Sequence, residues 1–169
     1  IETAISFCGE NEELTNALNK YKAYVPVNIV DIDPSETSRN NKVEKGETGV
    51  DNTNQTHKKN LYAFHRLYSQ DDAYAVYPLM GKYDTLTFEA YRSNYDTSTD
   101  ESITIKIFGD NTELQSIVID KGFNPNQYSI DISGVQKLKI VFEKLRYKCF
   151  KQFDKLPGEL ANVIVSKTK

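Results

Sequence analysis

Residues 90–96 run "AYRSNYD" and bring Tyr91, Arg92, Asn94, Tyr95 and Asp96 together where an alternating strand pattern gives way to polar sequence. Tyrosine rings supply rigid apolar area with a hydroxyl at the tip. Arginine adds a planar fork of donors, and asparagine adds both a donor and an acceptor. Such a set suits a ligand with an apolar ring face and many hydroxyls, which describes the surface of a sugar. The plainer reading is a solvated loop whose tyrosines lie over a core. Alternation puts Tyr91 and Arg92 on opposite faces if the strand reaches them. Tyr95 and Arg92 are then the stronger contacts, with Tyr91 leaning toward the core. His65 and Tyr68, in "FHRLY", are expected neighbours from the preceding strand. The chain has no tryptophan, so stacking falls to tyrosine.

No constellation for catalysis accompanies this cluster. His57 and His65 are eight residues apart, which is not the i,i+4 spacing of a helical metal site, and neither lies in a metalloprotease, serine-nucleophile or Cys–His pattern. The carboxylates Asp71, Asp72, Asp96, Asp100 and Glu101 are dense enough to hold a structural calcium, which takes oxygen ligands from loops. They lack the spacing of a known calcium loop, so the metal ligands stay unknown, and no other cofactor is implied. Cys8 and Cys149 stand near opposite ends of the chain. They are either two buried thiols or one disulfide, which requires Cα atoms within about 7 Å. A disulfide would imply an oxidising compartment.

The net charge of −3 comes from interspersed charges of both signs, which argues against a nucleic-acid surface with clustered Lys and Arg. No apolar run approaches the roughly 20 residues that span a bilayer, so no membrane insertion is expected of this segment. The chain begins at Ile1, as would be expected of a segment whose signal or anchor had been removed. Eleven tyrosines and many isoleucines favour a sheet.

The elements that must position the cluster follow from periodicity. "NEELTNALNKY", 11–21, predicts a short helix with Leu14, Leu18 and Tyr21 on one face. "AYVPVNIVDI" predicts an edge strand, and the polar stretch 33–56 predicts loop and turn with one short strand at most. From residue 60 the period is two: strands in 60–68, 72–80 and 84–92, a hairpin over 102–120 turning at Asp110-Asn111, then "YSIDIS", "KLKIVFEK" and "LANVIVSK". Leu145, Cys149, Phe153 and Leu156 fall at helical spacing and predict a helix ending at Pro157-Gly158. The expected fold is all-β: an antiparallel β-sandwich, with short helices near the N- and C-terminal ends, in a single domain over 1–169. Leu86, Phe88, Ile103, Ile105, Ile130, Ile132, Leu138 and Ile140 are its expected core.

Several segments taken in order resemble the NPCBM family, the novel putative carbohydrate-binding module. These are "LMGKYDTL" at 79–86, "IFGD" leading into "EL" at 107–114, "DISGVQKLKI" at 131–140, and "GVDNTNQTHKKNLYAF" as an entry strand. The resemblance covers 50–142 and the closing strand 160–167. It leaves 1–25 and 144–158 as additions to the family core. It implies a jelly-roll-like scaffold and a non-catalytic, carbohydrate-binding accessory module of a larger secreted or cell-surface bacterial protein, often beside a glycoside hydrolase domain. The alternative is a surface protein-interaction domain on the same scaffold.

Overall fold

The computed structural model describes residues 12–22, 24–66, 71–94, 102–143 and 153–167. One helix, α1 (Glu12–Lys22), opens the described chain, with Glu12 and Glu13 at its positive end. The strands follow in order: β1 (Val27–Asn28), β2 (Glu36–Thr37), β3 (Lys42–Val50), β4 (Thr56–Arg66), β5 (Ala73–Pro78), β6 (Thr85–Arg92), β7 (Ile103–Gly109), β8 (Thr112–Ile119), β9 (Asn126–Asp131), β10 (Lys137–Phe142), β11 (Phe153–Lys155) and β12 (Gly158–Ser166).

Two antiparallel sheets pack face to face. The first holds β3, β4, β12, β6 and β9 side by side; β11 pairs with the end of β4 next to β12, and β1 pairs with β12 at Val165 and Ile164. The second runs β2-β5-β10-β7-β8. Strict alternation builds the core: Ile103, Ile105 and Ile107 of β7 and Leu138, Ile140 and Phe142 of β10 point inward against Leu86, Phe88 and Ala90 of β6. Of the eight expected core residues seven are at most 3% exposed, and Ile130, on the edge strand β9, packs partly buried against them. Burying side chains of this size contributes roughly 1.5–3 kcal/mol each.

Three expectations are corrected. The polar stretch 33–56 is not loop: it contains the nine-residue β3, whose alternation is hidden because it is an edge strand with glycines at its points of closest approach. The "AYVPVNIVDI" strand is cut to Val27–Asn28 by a 3-10 turn at Ile29–Asp31, where the Asn28 side chain caps the Val30 amide at 3.1 Å. The last turn of the expected C-terminal helix is instead β11, because Phe153–Lys155 finds a free strand edge at Phe64–Arg66 of β4. The rest of that helix, 144–152, lies outside the described residues, as do Cys8, Cys149, Asp96, Asp100 and Glu101.

Candidate functional site

At one end of the sandwich the first sheet closes on itself. Asp51, just past β3, bridges to Ser93, just past β6, and the Asn94 amide donates to Val50 O at 3.0 Å. The Gly49–Val50 end of β3 is thereby brought against Tyr91 of β6 and Glu159 of β12. The approach is close enough that a methyl carbon on Gly49 would fall onto the Tyr91 hydroxyl and within 2.8 Å of both Asn60 Nδ2 and Glu159 Oε2.

The closure encloses a polar network. His57 Nε2 lies 2.8 Å from Asp51 Oδ2, and Nδ1 lies 2.9 Å from Glu89 Oε2. The imidazole stacks on Tyr91, with ring centroids 4.2 Å apart. Asp51 Oδ1 also accepts from the Thr53 amide, the Thr53 hydroxyl and the Gln55 amide, which shapes the 51–55 turn. The Tyr91 hydroxyl donates to Glu159 Oε2 at 2.7 Å, Asn60 Nδ2 donates to the same oxygen, and Lys155 Nζ sits 2.5 Å from Oε1.

Electrostatics follow from this geometry. Burial alone would depress His57, but its hydrogen bonds to Asp51 and Glu89 and their charges hold it above the ordinary histidine value. Burial would likewise raise Asp51, yet the bonds from His57, Thr53 and the backbone amides bring it down to about 2. Burial first, then the Glu159 charge, pushes Tyr91 far above the usual phenol. With a carboxylate within 2.9 Å of each ring nitrogen, the protonated form of His57 is the one favoured, since both nitrogens can then donate. The arrangement is a charged fastener between β3, β4 and β6.

This determines where the expected sugar-contact residues fall. Tyr91 is fully buried in the network and Arg92 is 2% exposed, because β6 runs to Arg92 and both of its faces are covered there. Their burial removes the premise that they face a ligand. Asn94 does face solvent, with its amide 3.5 Å from Asn54 Oδ1. His65 is half-buried on β4. Tyr95 and Tyr68 lie outside the described residues. His57 was legible in the sequence only as one of two histidines; the signal that could have singled it out is the Asp51 spaced six residues before it, across a turn-forming "DNTNQ".

A second site touches the expectations only at Asp71 and Asp72, the carboxylates considered for calcium, which line it. The outer face of the second sheet carries an open groove of about 820 Å³, within the range of ligand sites. Its floor is set by register: Val141 of β10 stands opposite both Tyr74 and Lys106, and Lys139 stands opposite Phe108. Tyr74 and Phe108 are half-buried and Val141 is buried, so the floor is apolar and stiff. The loop 38–41 forms one wall. Ser38 Oγ donates to Asn41 O at 2.8 Å and accepts from the Tyr74 amide at 3.0 Å, and Asn41 Nδ2 donates to Asp71 O at 2.5 Å. The Tyr74 hydroxyl donates to Glu36 Oε1 at 2.7 Å; that bond and the Glu36 charge, with partial burial, raise the phenol's pKa. Lys106 Nζ lies 2.5 Å from Glu143 Oε1, and this bond raises the ammonium's pKa. Lys139 Nζ sits 4.2 Å above the centre of the Tyr74 ring. The groove thus offers the Phe108 ring and the Val141 side chain ringed by donors and acceptors, with one face of Tyr74 covered by Lys139. Among the described residues no group of three or more His, Cys, Asp or Glu is placed to hold a metal, and no helix is long and apolar enough to cross a membrane.

No family model and no curated protein matches the sequence. Solved structures do. The CBM51 of a Clostridium perfringens GH95, solved in complex with methyl-galactose, aligns with a TM-score of 0.61 over 84% of this chain and 100% of that one, at 14% identity. CBM51-2 with the INT domains of Clostridium perfringens ZmpB, solved in complex with GlcNAc, gives 0.63 over 85% of this chain and 32% of that one, at 14% identity. The M60 catalytic domain of ZmpB with its CBM51-1 and CBM51-2 domains gives 0.62 over 85% of this chain, at 12% identity, and the chain spans only 15% of that protein's length. At such identities the likeness shows a shared sandwich fold.

Proposed function

We propose that this domain is a non-catalytic carbohydrate-binding module that serves a larger secreted or cell-surface protein. The observation that carries the reading is the groove on the second sheet, where Tyr74, Phe108 and Val141 form an apolar floor beside polar side chains held in place by hydrogen bonds. A pyranose needs that combination, an apolar surface for its C–H face and directed polar groups for its hydroxyls. Rigid strands fix the floor, so little conformational entropy is lost on binding. The shared fold with CBM51 modules, two of them solved with a sugar, supports the reading, as does the NPCBM-like order of motifs over 50–142. An origin in a parent protein with a separate catalytic domain fits the same comparison, since these modules occur within longer chains.

The test is a glycan array followed by calorimetry on the isolated domain and on Tyr74→Ala. Binding to at least one glycan, weakened tenfold or more by Tyr74→Ala with the melting temperature nearly unchanged, is the expected result. Failure to bind any glycan at high protein concentration overturns the reading. Binding untouched by both Tyr74→Ala and Phe108→Ala moves the site off the groove, leaving the loop that bears Asn94 as the place to look.

A further inference from the structure

Beside the Asp51–His57 pair, the closed end of the first sheet holds a cluster in which one carboxylate joins an amine to an amide. Glu159, fully buried on β12, has Lys155 Nζ 2.5 Å from Oε1, and its Oε2 accepts from Asn60 Nδ2 and the Tyr91 hydroxyl. Asn60 is fully buried on β4, and the Lys155 side chain is 15% exposed. The Lys155 ammonium also lies 4.3 Å above the centre of the Tyr62 ring. Tyr62 in turn borders the amide: its Cε1 and Asn60 Cγ would each lie 3.1 Å from a methyl carbon on Gly46. The amine and the amide carbon are therefore near neighbours, and the flexible four-carbon stem of lysine spans what separates them. Among the described residues Asn60 Oδ1 accepts no hydrogen bond, although it is buried. An ion pair between Lys155 and Glu159 leaves that acceptor unsatisfied, which burial makes costly.

We propose that Lys155 and Asn60 join in an intramolecular isopeptide bond, with Glu159 as the proton carrier. Glu159 takes one proton from the Lys155 ammonium, which removes two buried charges at once. The neutral amine attacks Asn60 Cγ and forms an N–C bond. Glu159 gives its proton to Nδ2 as the Cγ–Nδ2 bond breaks, and takes the second proton from the attacking nitrogen. Ammonia leaves, the new amide keeps one N–H, and Glu159 ends protonated. Atoms and charge balance without any oxidant or reductant: an ammonium, a carboxylate and a carboxamide become a secondary amide, a carboxylic acid and ammonia. The acid then donates to the former Asn60 carbonyl, the acceptor that had no donor before the bond formed. With Asn60 and Glu159 both shut off from solvent, water does not compete for Cγ.

The test is the intact mass of the full chain, reduced and denatured, taken fresh from purification and after prolonged incubation at neutral pH. The expected mass lies one ammonia below that of the sequence, and a protease digest should contain one branched peptide joining Lys155 to Asn60. Asn60→Ala and Glu159→Gln should each keep the full mass of their own sequences. So should Lys155→Arg, which keeps the ion pair to Glu159 and so supplies a folded, unlinked control. On a denaturing gel the wild type should run ahead of Asn60→Ala, because the bond holds a loop closed in the unfolded chain. A wild-type chain at its full sequence mass after incubation overturns the proposal. Loss of ammonia without a Lys155–Asn60 peptide overturns it too, since the loss then arises elsewhere. A Glu159→Gln chain that forms the linked peptide as completely as wild type overturns the role of Glu159.

Discussion

His57→Leu tests whether the buried charges fasten the closed end of the sheet. Leucine is close to histidine in size, so the variant removes charge and hydrogen bonds without leaving a large cavity. His57 is 6% exposed, and its loss leaves Asp51 Oδ2 and Glu89 Oε2 facing an apolar group. Breaking a buried ion pair from one side typically costs 3–5 kcal/mol. The lower end applies here, because Asp51 keeps three donors from Thr53 and Gln55 and the Glu89 side chain, 22% exposed, can recruit water. About 3 kcal/mol in a domain of this size corresponds to a loss of roughly 6–12 °C in melting temperature.

The pH dependence adds a sign. The folded pKa of His57 lies above its ordinary 6.5, so its stabilisation is complete below pH 6.5 and fades as pH rises through the folded value. Asp51, held at about 2 against 3.8, contributes above pH 3.8 and loses that contribution only as pH falls through about 2. The gap between wild type and His57→Leu, followed by circular dichroism melts across pH, should therefore be widest between about pH 4 and 6.5 and narrow as pH rises above that window. A variant within about 2 °C of wild type near pH 5, equivalent to less than 1 kcal/mol, would refute the fastening role. A gap that widens on the alkaline side would refute the protonated state assigned to His57.

Two further outcomes check the packing. Gly49→Ala puts a methyl group onto the Tyr91 hydroxyl and against Asn60 and Glu159, so its denaturant midpoint should fall by the equivalent of roughly 1–3 kcal/mol; an unchanged midpoint means the Gly49 end of β3 does not lie against these side chains. Ile105→Ala, at a fully buried position in the middle of β7, should cost roughly 2–5 kcal/mol in urea unfolding, whereas Lys106→Ala, on the outward face, should cost far less; reversed sizes would contradict the register.

The sandwich was legible wherever one face of a strand is dry and the other wet. β6, β7 and β10 alternate cleanly in "TLTFEAYR", "ITIKIFG" and "KLKIVF" because period two is all that a half-buried strand demands of its residues. The Asp110-Asn111 turn was legible too, since its residues tolerate the φ of +53° that Asp110 adopts. β3 was not. Its sequence "KVEKGETGV" serves an edge strand folded over a polar interior, so it shows no apolar stripe, and its strand formers Val43, Thr48 and Val50 are outnumbered by Gly, Glu and Lys. Alternation alone would leave one of Tyr91 and Arg92 facing outward; both are buried because β6 enters the closure, where the segment 49–57 and Glu159 of β12 lie against it. The Asp51–His57–Glu89 network spans residues 51 to 89, and the groove of Tyr74, Lys106, Phe108 and Lys139 spans residues 74 to 139. Local sequence sets which way each side chain points from its strand, but strand pairing sets which side chains meet. Pairing order is decided by how two sheets bury one common core, a global condition that no local stretch of the chain carries.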